Sequence, residues 1–198
     1  MPPKPKFQRE EIVSAALDIV RECGIECLTT RNVGTKLNSS ARPIFTVFKN
    51  MDELRQAVRA EAIKLYEQSI VPKTENTPLF KQLGMGMISF SINEPKLFRF
   101  LFMKQNKEAD SFDDVFGYLG KTAEYCIEII RKDYSLNRQE AYLLFESVWI
   151  YTYGVSSLCA TGMCRFSTEQ ISKMLTTEFT AMLAYVRSGG GLEKPLRR

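Results

Sequence analysis

Apolar residues recur every three to four positions along most of the chain, which is the spacing of one face of an α-helix. Alternation of apolar and polar residues, which would indicate strands, is scarce. The pattern predicts an all-α protein of about nine helices, four before Pro72 and five after it. The expected ranges are 12–23, 30–37, 41–48, 51–71, 77–92, 95–102, 111–132, 137–162 and 167–187.

Polar residues mark where several of these helices begin. Thr29 and Ser40 precede the two short helices at 30–37 and 41–48, and each hydroxyl can accept a hydrogen bond from a free N–H of the first turn. Asn38, between the two, can adopt the left-handed conformation that a tight turn needs. Capping-box patterns, in which two residues three positions apart bond each other's backbone, are expected at 50–53, 137–140 and 167–170.

The segment 27–51 differs from the rest of the chain in charge. It contains no Asp or Glu, although the whole chain of 198 residues has 23 of them, and it holds four basic residues. The net charge of +4 is too small to identify a nucleic-acid-binding protein, so the placement of the charge is what matters. Two short helices joined by a tight turn are typical of the helix-turn-helix, whose second helix enters the DNA major groove.

Residues of this segment provide the groups that contact DNA. Phosphates are bound by basic side chains, hydroxyls and helix N-termini, and base edges are read by residues near the start of the second helix. Arg42 is the best candidate for reading guanine through two hydrogen bonds; a phosphate contact or a solvated charge is the alternative. The candidate DNA-binding residues are Thr29, Arg31, Ser39, Ser40, Ala41, Arg42, Pro43, Phe45, Thr46 and Lys49.

Residues 9–54 resemble the DNA-binding domain of the TetR family of transcriptional regulators. The motif as it stands comprises Ile12-Val-Ser-Ala-Ala-Leu-Asp-Ile19, Gly24, Leu28-Thr-Thr-Arg-Asn-Val33, Leu37-Asn-Ser-Ser40 and Ile44-Phe-Thr-Val-Phe-Lys-Asn-Met-Asp-Glu-Leu54. The resemblance implies a three-helix DNA-binding domain with a helix-turn-helix at 1–50. It further implies a larger helical domain for effector binding and dimerisation at 51–188, and we expect a mobile tail at 189–198.

Three positions depart from the family pattern. Asn38 occupies a turn position that is usually Gly, which the left-handed tolerance of Asn permits. Phe45 stands where Tyr is common, so a hydroxyl contact to phosphate is lost, and Met51 stands where Lys is common. These departures imply weaker affinity for DNA or an altered register on it. Lys49 and the basic head of the chain provide compensating charge.

The second half of the chain is rich in aromatic rings, and two readings of them stay open. They form an ordinary core, or they enclose an apolar pocket with a few polar groups. The resemblance implies a small apolar or aromatic effector there, and it implies that the last two helices form a homodimer interface; alternatively, those helices complete the monomer core. The candidate ligand-binding residues are Phe98, Phe102, Phe116, Tyr125, Phe145, Trp149 and Tyr153.

Composition excludes several classes of active site. The chain has no His, which rules out Ser-His-Asp and Cys-His catalysis and zinc sites with His ligands. The five Cys are an odd number and are expected to be reduced thiols. The uncharged run 147–164 is marginal for a membrane span and favours a buried helix. With no export signal either, we expect a cytoplasmic protein without metal or cofactor.

Together these features predict a non-enzymatic transcriptional regulator. As a homodimer it would bind a palindromic operator in double-stranded DNA, and an effector would release it, so that it acts as a repressor. Two alternatives stay open. One is a carrier or sensor of small apolar ligands whose DNA-binding half has degenerated; the other is a helical enzyme that uses a Tyr, Cys or carboxylate, for which no organised motif is present.

Overall fold

The computed structural model describes residues 6–72, 77–104, 111–112, 114–115 and 121–191, and in these ranges it contains helices and no strands. This confirms the predicted all-α class. The α-helices are α1 (Arg9–Cys23), α2 (Thr30–Lys36), α3 (Met51–Ser69), α4 (Leu79–Asn93), α5 (Pro95–Phe102), α6 (Lys121–Tyr134), α7 (Arg138–Ala160) and α8 (Thr168–Arg187). Two short 3₁₀ segments lie at Ile25–Cys27 and Arg42–Thr46.

The element predicted at 41–48 is a 3₁₀ segment and not an α-helix. It begins with a bond of 3.2 Å from the Ile44 N–H to the Ala41 carbonyl, and Pro43 has no N–H to donate. Its N-cap is Ala41, without a side-chain hydrogen bond, so the prediction that Ser40 caps this element is wrong. Together with this segment, the eight α-helices make nine elements of the described chain, and residues 112, 114 and 115 are also helical.

The other predicted caps and the turn at Asn38 are present in the structure, except that the box at 50–53 is incomplete. The Thr29 hydroxyl accepts a hydrogen bond of 3.2 Å from the Asn32 N–H, and Asn38 has a left-handed φ of +49°. The Asn50 side chain accepts from the Glu53 N–H, but the Glu53 carboxylate accepts from the Lys49 N–H instead of completing the box. Complete capping boxes begin α7 and α8 as predicted, at Asn137–Glu140 and Ser167–Gln170.

The first of two compact units contains the described residues up to Ser69 together with Phe90–Lys104. In it, α1 packs against α2, α3 and α5. The boundary expected after residue 50 divides the chain differently, because α3 and α5 bury apolar faces within this unit. The fully buried side chains include Ile12, Leu28, Ile44, Phe48, Leu54, Leu97 and Phe98.

The second unit contains the described residues of Ile70–Ser89 and of the chain after Gln105. Here α7 packs against both α6 and α8. A core that includes Ile127, Ile130, Leu144 and Phe145 joins α6 and α7, and a smaller cluster joins Ile88 with α7 and α8. Helix α4 begins in this unit and ends in the first one. Among the described helices, none is long and apolar enough to cross a membrane.

Candidate nucleic-acid interface and ligand cavity

Residues 28–49 form a hook, made of α2, the turn after it, the 3₁₀ segment and the residues that follow it up to Lys49. Four apolar side chains, Leu28, Val33, Ile44 and Phe48, anchor the hook on the rest of the first unit, and each is at most 1% exposed. Most of the residues between these four are exposed or half-buried, so the opposite side of the hook faces solvent. Local sequence thus fixes which side chains face outward.

Gly34 allows α2 and the turn to approach each other closely. A Cβ atom at this position would lie 3.0 Å from the carbonyl oxygen of Ser39 and 3.2 Å from the backbone nitrogen of Ala41. The Ser39 N–H also donates a hydrogen bond of 2.9 Å to the Gly34 carbonyl. Gly34 therefore sets the position of the turn from which the 3₁₀ segment starts.

None of the ten predicted DNA-binding residues is buried. Three are half-buried, namely Ser39, Ala41 and Pro43. The exposed ones are Thr29, Arg31, Ser40, Arg42, Phe45, Thr46 and Lys49. All ten residues lie within the hook, and none is shielded from solvent completely. Their contact with DNA remains a prediction.

The basic residues of the hook differ in whether they have an acidic partner. Within the described ranges, no ion pair involves Arg31, Arg42 or Lys49. The Lys36 ammonium lies 2.5 Å from the Glu22 carboxylate, and this hydrogen bond raises the pKa of Lys36. Lys36 is therefore the least available of the four for a phosphate.

A further cation comes from the head of the chain. The Lys6 ammonium donates a hydrogen bond of 3.1 Å to the Ser39 hydroxyl, 33 residues later in the sequence. The contact places a positive charge at the turn, where Lys36 contributes little. The clustered Lys and Pro residues of the head were the sequence signal for it.

Glu53, the second residue after the acid-free segment, is held by two groups. Its carboxylate accepts hydrogen bonds from the Lys49 N–H (2.8 Å) and from the Arg9 guanidinium (3.0 Å). These contacts, the first in particular, lower the pKa of Glu53. The Arg9 guanidinium also lies 4.2 Å from the centre of the Phe48 ring. The cluster fixes the end of the hook to α1 and α3 and partly neutralises the acid beside it.

The predicted ligand-binding residues fall into both units. Phe98 and Phe102 belong to the first unit, where their ring centres are 5.1 Å apart and Phe102 packs edge-on against Tyr66 at 4.9 Å. Phe98 is completely buried. In the structure these two rings serve as core of the first unit.

The remaining predicted residues belong to the second unit. Trp149 and Tyr153 stack on each other with ring centres 5.3 Å apart, and Phe145, one turn before Trp149, is buried. Tyr125 on α6 is 55% exposed and borders an open surface groove. Phe116 lies outside the described residues. The six predicted residues that the structure describes are thus divided between the two units.

A cavity of about 240 Å³ lies within the second unit, and its described wall contains none of the six predicted residues that the structure describes. It is enclosed by the first half of α4, the end of α6, the middle of α7 and most of α8. Its wall includes Phe80, Gly84, Tyr134, Thr152, Leu175 and Phe179. The sequence carries only a weak signal for this cavity. The signal is Gly84, whose small size in a helix otherwise rich in large apolar residues indicates a close helix crossing.

Part of the chain is similar in sequence to a known transcriptional repressor. A 63-residue stretch, 32% of this chain, is 30% identical to the nicotine-responsive helix-turn-helix transcriptional repressor HdnoR of Paenarthrobacter nicotinovorans. The matched stretch also spans only about a third, 32%, of that repressor's own length. No family model matches the chain.

Solved structures resemble almost the entire chain. A TetR-like regulator from Rhodococcus sp. RHA1 superposes with a TM-score of 0.65 at 16% identity, covering 92% of this chain and 99% of its own. TetR from Acinetobacter baumannii AYE gives 0.60 at 18% identity, covering 92% and 98%. The fatty acid degradation regulator FadR from Bacillus halodurans gives 0.57 at 12%, covering 98% and 100%. The resemblance to the TetR family is therefore confirmed at the level of the fold.

Proposed function

We propose that this chain, which has the fold of TetR-like transcriptional regulators, is a DNA-binding repressor that acts as a homodimer and is released from its operator by a small ligand. The observation that carries the proposal is the exposed, acid-free surface of the hook. Arg31, Arg42 and Lys49 extend from it, and Lys6 is bonded to its turn. A duplex presents regularly spaced phosphates that such a surface can neutralise.

The last two helices support the proposal of a homodimer. Ile150 on α7 is 52% exposed and Tyr185 on α8 is 50% exposed, and both are large apolar residues. Gly154 is one turn after Ile150, and a Cβ there would have no atom within 4 Å. Exposed apolar residues of this kind can pack against a second copy of the chain. A twofold dimer would place two hooks on a palindromic site with half-sites one DNA turn, about 34–36 Å, apart.

Helix α4 supports release by a ligand. Its first half, with Phe80 and Gly84, lines the cavity in the second unit, and its last turn belongs to the first unit. A ligand that fits only one arrangement of α4 would shift the population toward that arrangement. Because α4 is one continuous helix, the shift would reach α5, which follows it directly.

Hydrogen bonds join helix α5 to α1 and α3, the two helices that hold the hook. The Arg21 side chain of α1 donates to the Glu94 carboxylate at the start of α5, with Nε to oxygen distances of 3.0 and 3.1 Å. The Arg59 guanidinium of α3 donates to the Leu101 carbonyl at its end, at 3.3 Å. A displacement of α5 would therefore move α1 and α3, on which the hook is anchored. This gives the ligand and the operator a coupled effect on each other's binding.

The salt dependence of DNA binding tests the proposed interface. Four available cations in each protomer, Lys6, Arg31, Arg42 and Lys49, make eight in a dimer. The slope of log affinity against log salt is then expected to be about −7. Fluorescence anisotropy with a duplex selected by the protein from a random library would measure it. A slope near zero, or failure to select any duplex, would contradict the proposal and favour a ligand carrier, which the loss of two family phosphate contacts at Phe45 and Met51 also favours.

A further inference from the structure

The wall of the cavity in the second unit has an uneven chemical character. Three aromatic rings form one side, with Phe179 in contact with both Phe80 (ring centres 5.8 Å apart) and Tyr134 (4.8 Å). Polar groups come from threonine hydroxyls and from one ammonium, that of Lys81. The described wall includes no Asp or Glu. An apolar cavity whose ammonium has no acidic partner among the described residues selects against cations.

The Lys81 ammonium is held in place on this wall. It donates a hydrogen bond of 2.8 Å to the Thr176 hydroxyl, which in turn donates at 2.8 Å to the Ser172 carbonyl in the preceding turn of α8. Thr176 therefore orients the ammonium without neutralising it. Two further donor positions of the ammonium remain for a ligand.

The volume limits the size of the ligand. A cavity of about 150 Å³ lined by apolar side chains holds benzene. The present cavity, at about 240 Å³, has room for one ring with a short side chain. The ring would pack against Phe80 and Phe179, and the end of the side chain would reach Lys81.

We infer that the cavity binds a small amphipathic monocarboxylate, with one ring or an equivalent branched apolar body, whose carboxylate accepts hydrogen bonds from the Lys81 ammonium. The inference rests on the proposed function, because it names the chemical class of the ligand that would act there. It makes the expected small apolar or aromatic effector more specific, because it adds a single carboxylate to the apolar body. The Thr176 hydroxyl positions the lysine for this contact.

Isothermal titration calorimetry with two matched probes tests the inference on the full chain without DNA. The probes are 3-phenylpropanoate and 3-phenylpropanamide, which have the same shape and differ in charge. We expect the carboxylate to bind the wild-type protein about tenfold more tightly than the amide, as a hydrogen bond between charged groups allows. Lys81→Met should remove this difference and leave amide binding unchanged. Lys173→Met, an exposed lysine of α8 outside the cavity wall, is the control and should retain the preference.

Three results would overturn the inference. They are equal binding of both probes to the wild type, a uniform loss of binding of both probes in Lys81→Met, and no heat with either probe at millimolar concentration. Anisotropy of labelled DNA in the same titration separates this inference from the proposed function. Carboxylate binding that leaves DNA affinity unchanged upholds the ligand class and contradicts release by ligand.

Discussion

Substitution of Gly34 by Ala tests how the turn of the hook is positioned. The new methyl group would lie 3.0 Å from the Ser39 carbonyl oxygen and 3.1 Å from the Ser40 carbonyl carbon, closer than ordinary contact. Both neighbours are backbone atoms, so the turn has to move by a few tenths of an ångström. Overpacking of this kind costs about 2 kcal/mol, and the higher helix propensity of Ala offsets about 1 kcal/mol of it. We expect a net loss of about 1 kcal/mol in the free energy of unfolding.

The effect on DNA binding is expected to exceed the effect on stability. Ser39, Ser40 and Ala41 are all predicted DNA contacts, and all three move with the turn. Loss of one charge-assisted contact in each half-site would lower affinity for the selected duplex by at least about tenfold. Urea denaturation and anisotropy measure the two quantities. Hydrogen exchange at the Ser39 N–H, which is bonded to the Gly34 carbonyl at 2.9 Å, reports the local change.

Gly84→Ala is the matched control for this experiment. Its methyl group would lie 3.4 Å from Leu175 Cδ1 and 3.7 Å from Thr152 Oγ1, both within ordinary contact and both on side chains. We expect this variant to be more stable by about 1 kcal/mol, with DNA affinity unchanged. If Gly34→Ala gains stability like Gly84→Ala and binds DNA normally, the argument about the turn is refuted.

Three further predictions concern the hook. Arg42→Ala should relax preference at one base position of the selected duplex by about 1–3 kcal/mol, whereas unchanged preference at every position would remove its reading role. Phe45 is 47% exposed, so Phe45→Tyr should fold normally and increase DNA affinity several-fold; an unchanged affinity would show that no phosphate is in reach. The pKa of Glu53 is lowered from its ordinary 4.5 by Lys49 and Arg9, so its carboxylate stabilises the fold above that pH and loses this effect as the pH falls. The stability difference between the wild type and Glu53→Gln should therefore shrink below about pH 4.5 in urea titrations, and a constant difference would contradict the role of the charge.

Much of the local structure of the hook could be predicted because it depends on neighbouring residues. The Thr29 cap, the left-handed Asn38 and the acid-free segment all involve residues within a few positions of one another. Ser40 shows where such reasoning failed, since a hydroxyl before a helix-like run was expected to cap it. Pro43 lacks one of the N–H groups that a Ser40 cap would bond, and the short run closes i→i+3 bonds, which are common in short pieces.

The cavity in the second unit could not be predicted, because its wall combines residues that are far apart in the sequence. Lys81 and Thr176 are 95 positions apart, yet their side chains are hydrogen-bonded. Aromatic rings alone did not indicate the site. Phe98 and Phe102 are phenylalanines in helices, as Phe80 and Phe179 are. They nevertheless pack in the core of the other unit.

By itself, the sequence determined the all-α class, most helix boundaries to within three residues and the charge pattern of the hook, since backbone hydrogen bonding and capping act over about four residues. Tertiary structure alone decided which cations remain available, through the pairing of Lys36 with Glu22 and of Lys6 with Ser39. It also decided that a chamber opens beside Gly84. These outcomes depend on how helices pack, and packing is set by the shapes of side chains that meet only in the folded chain.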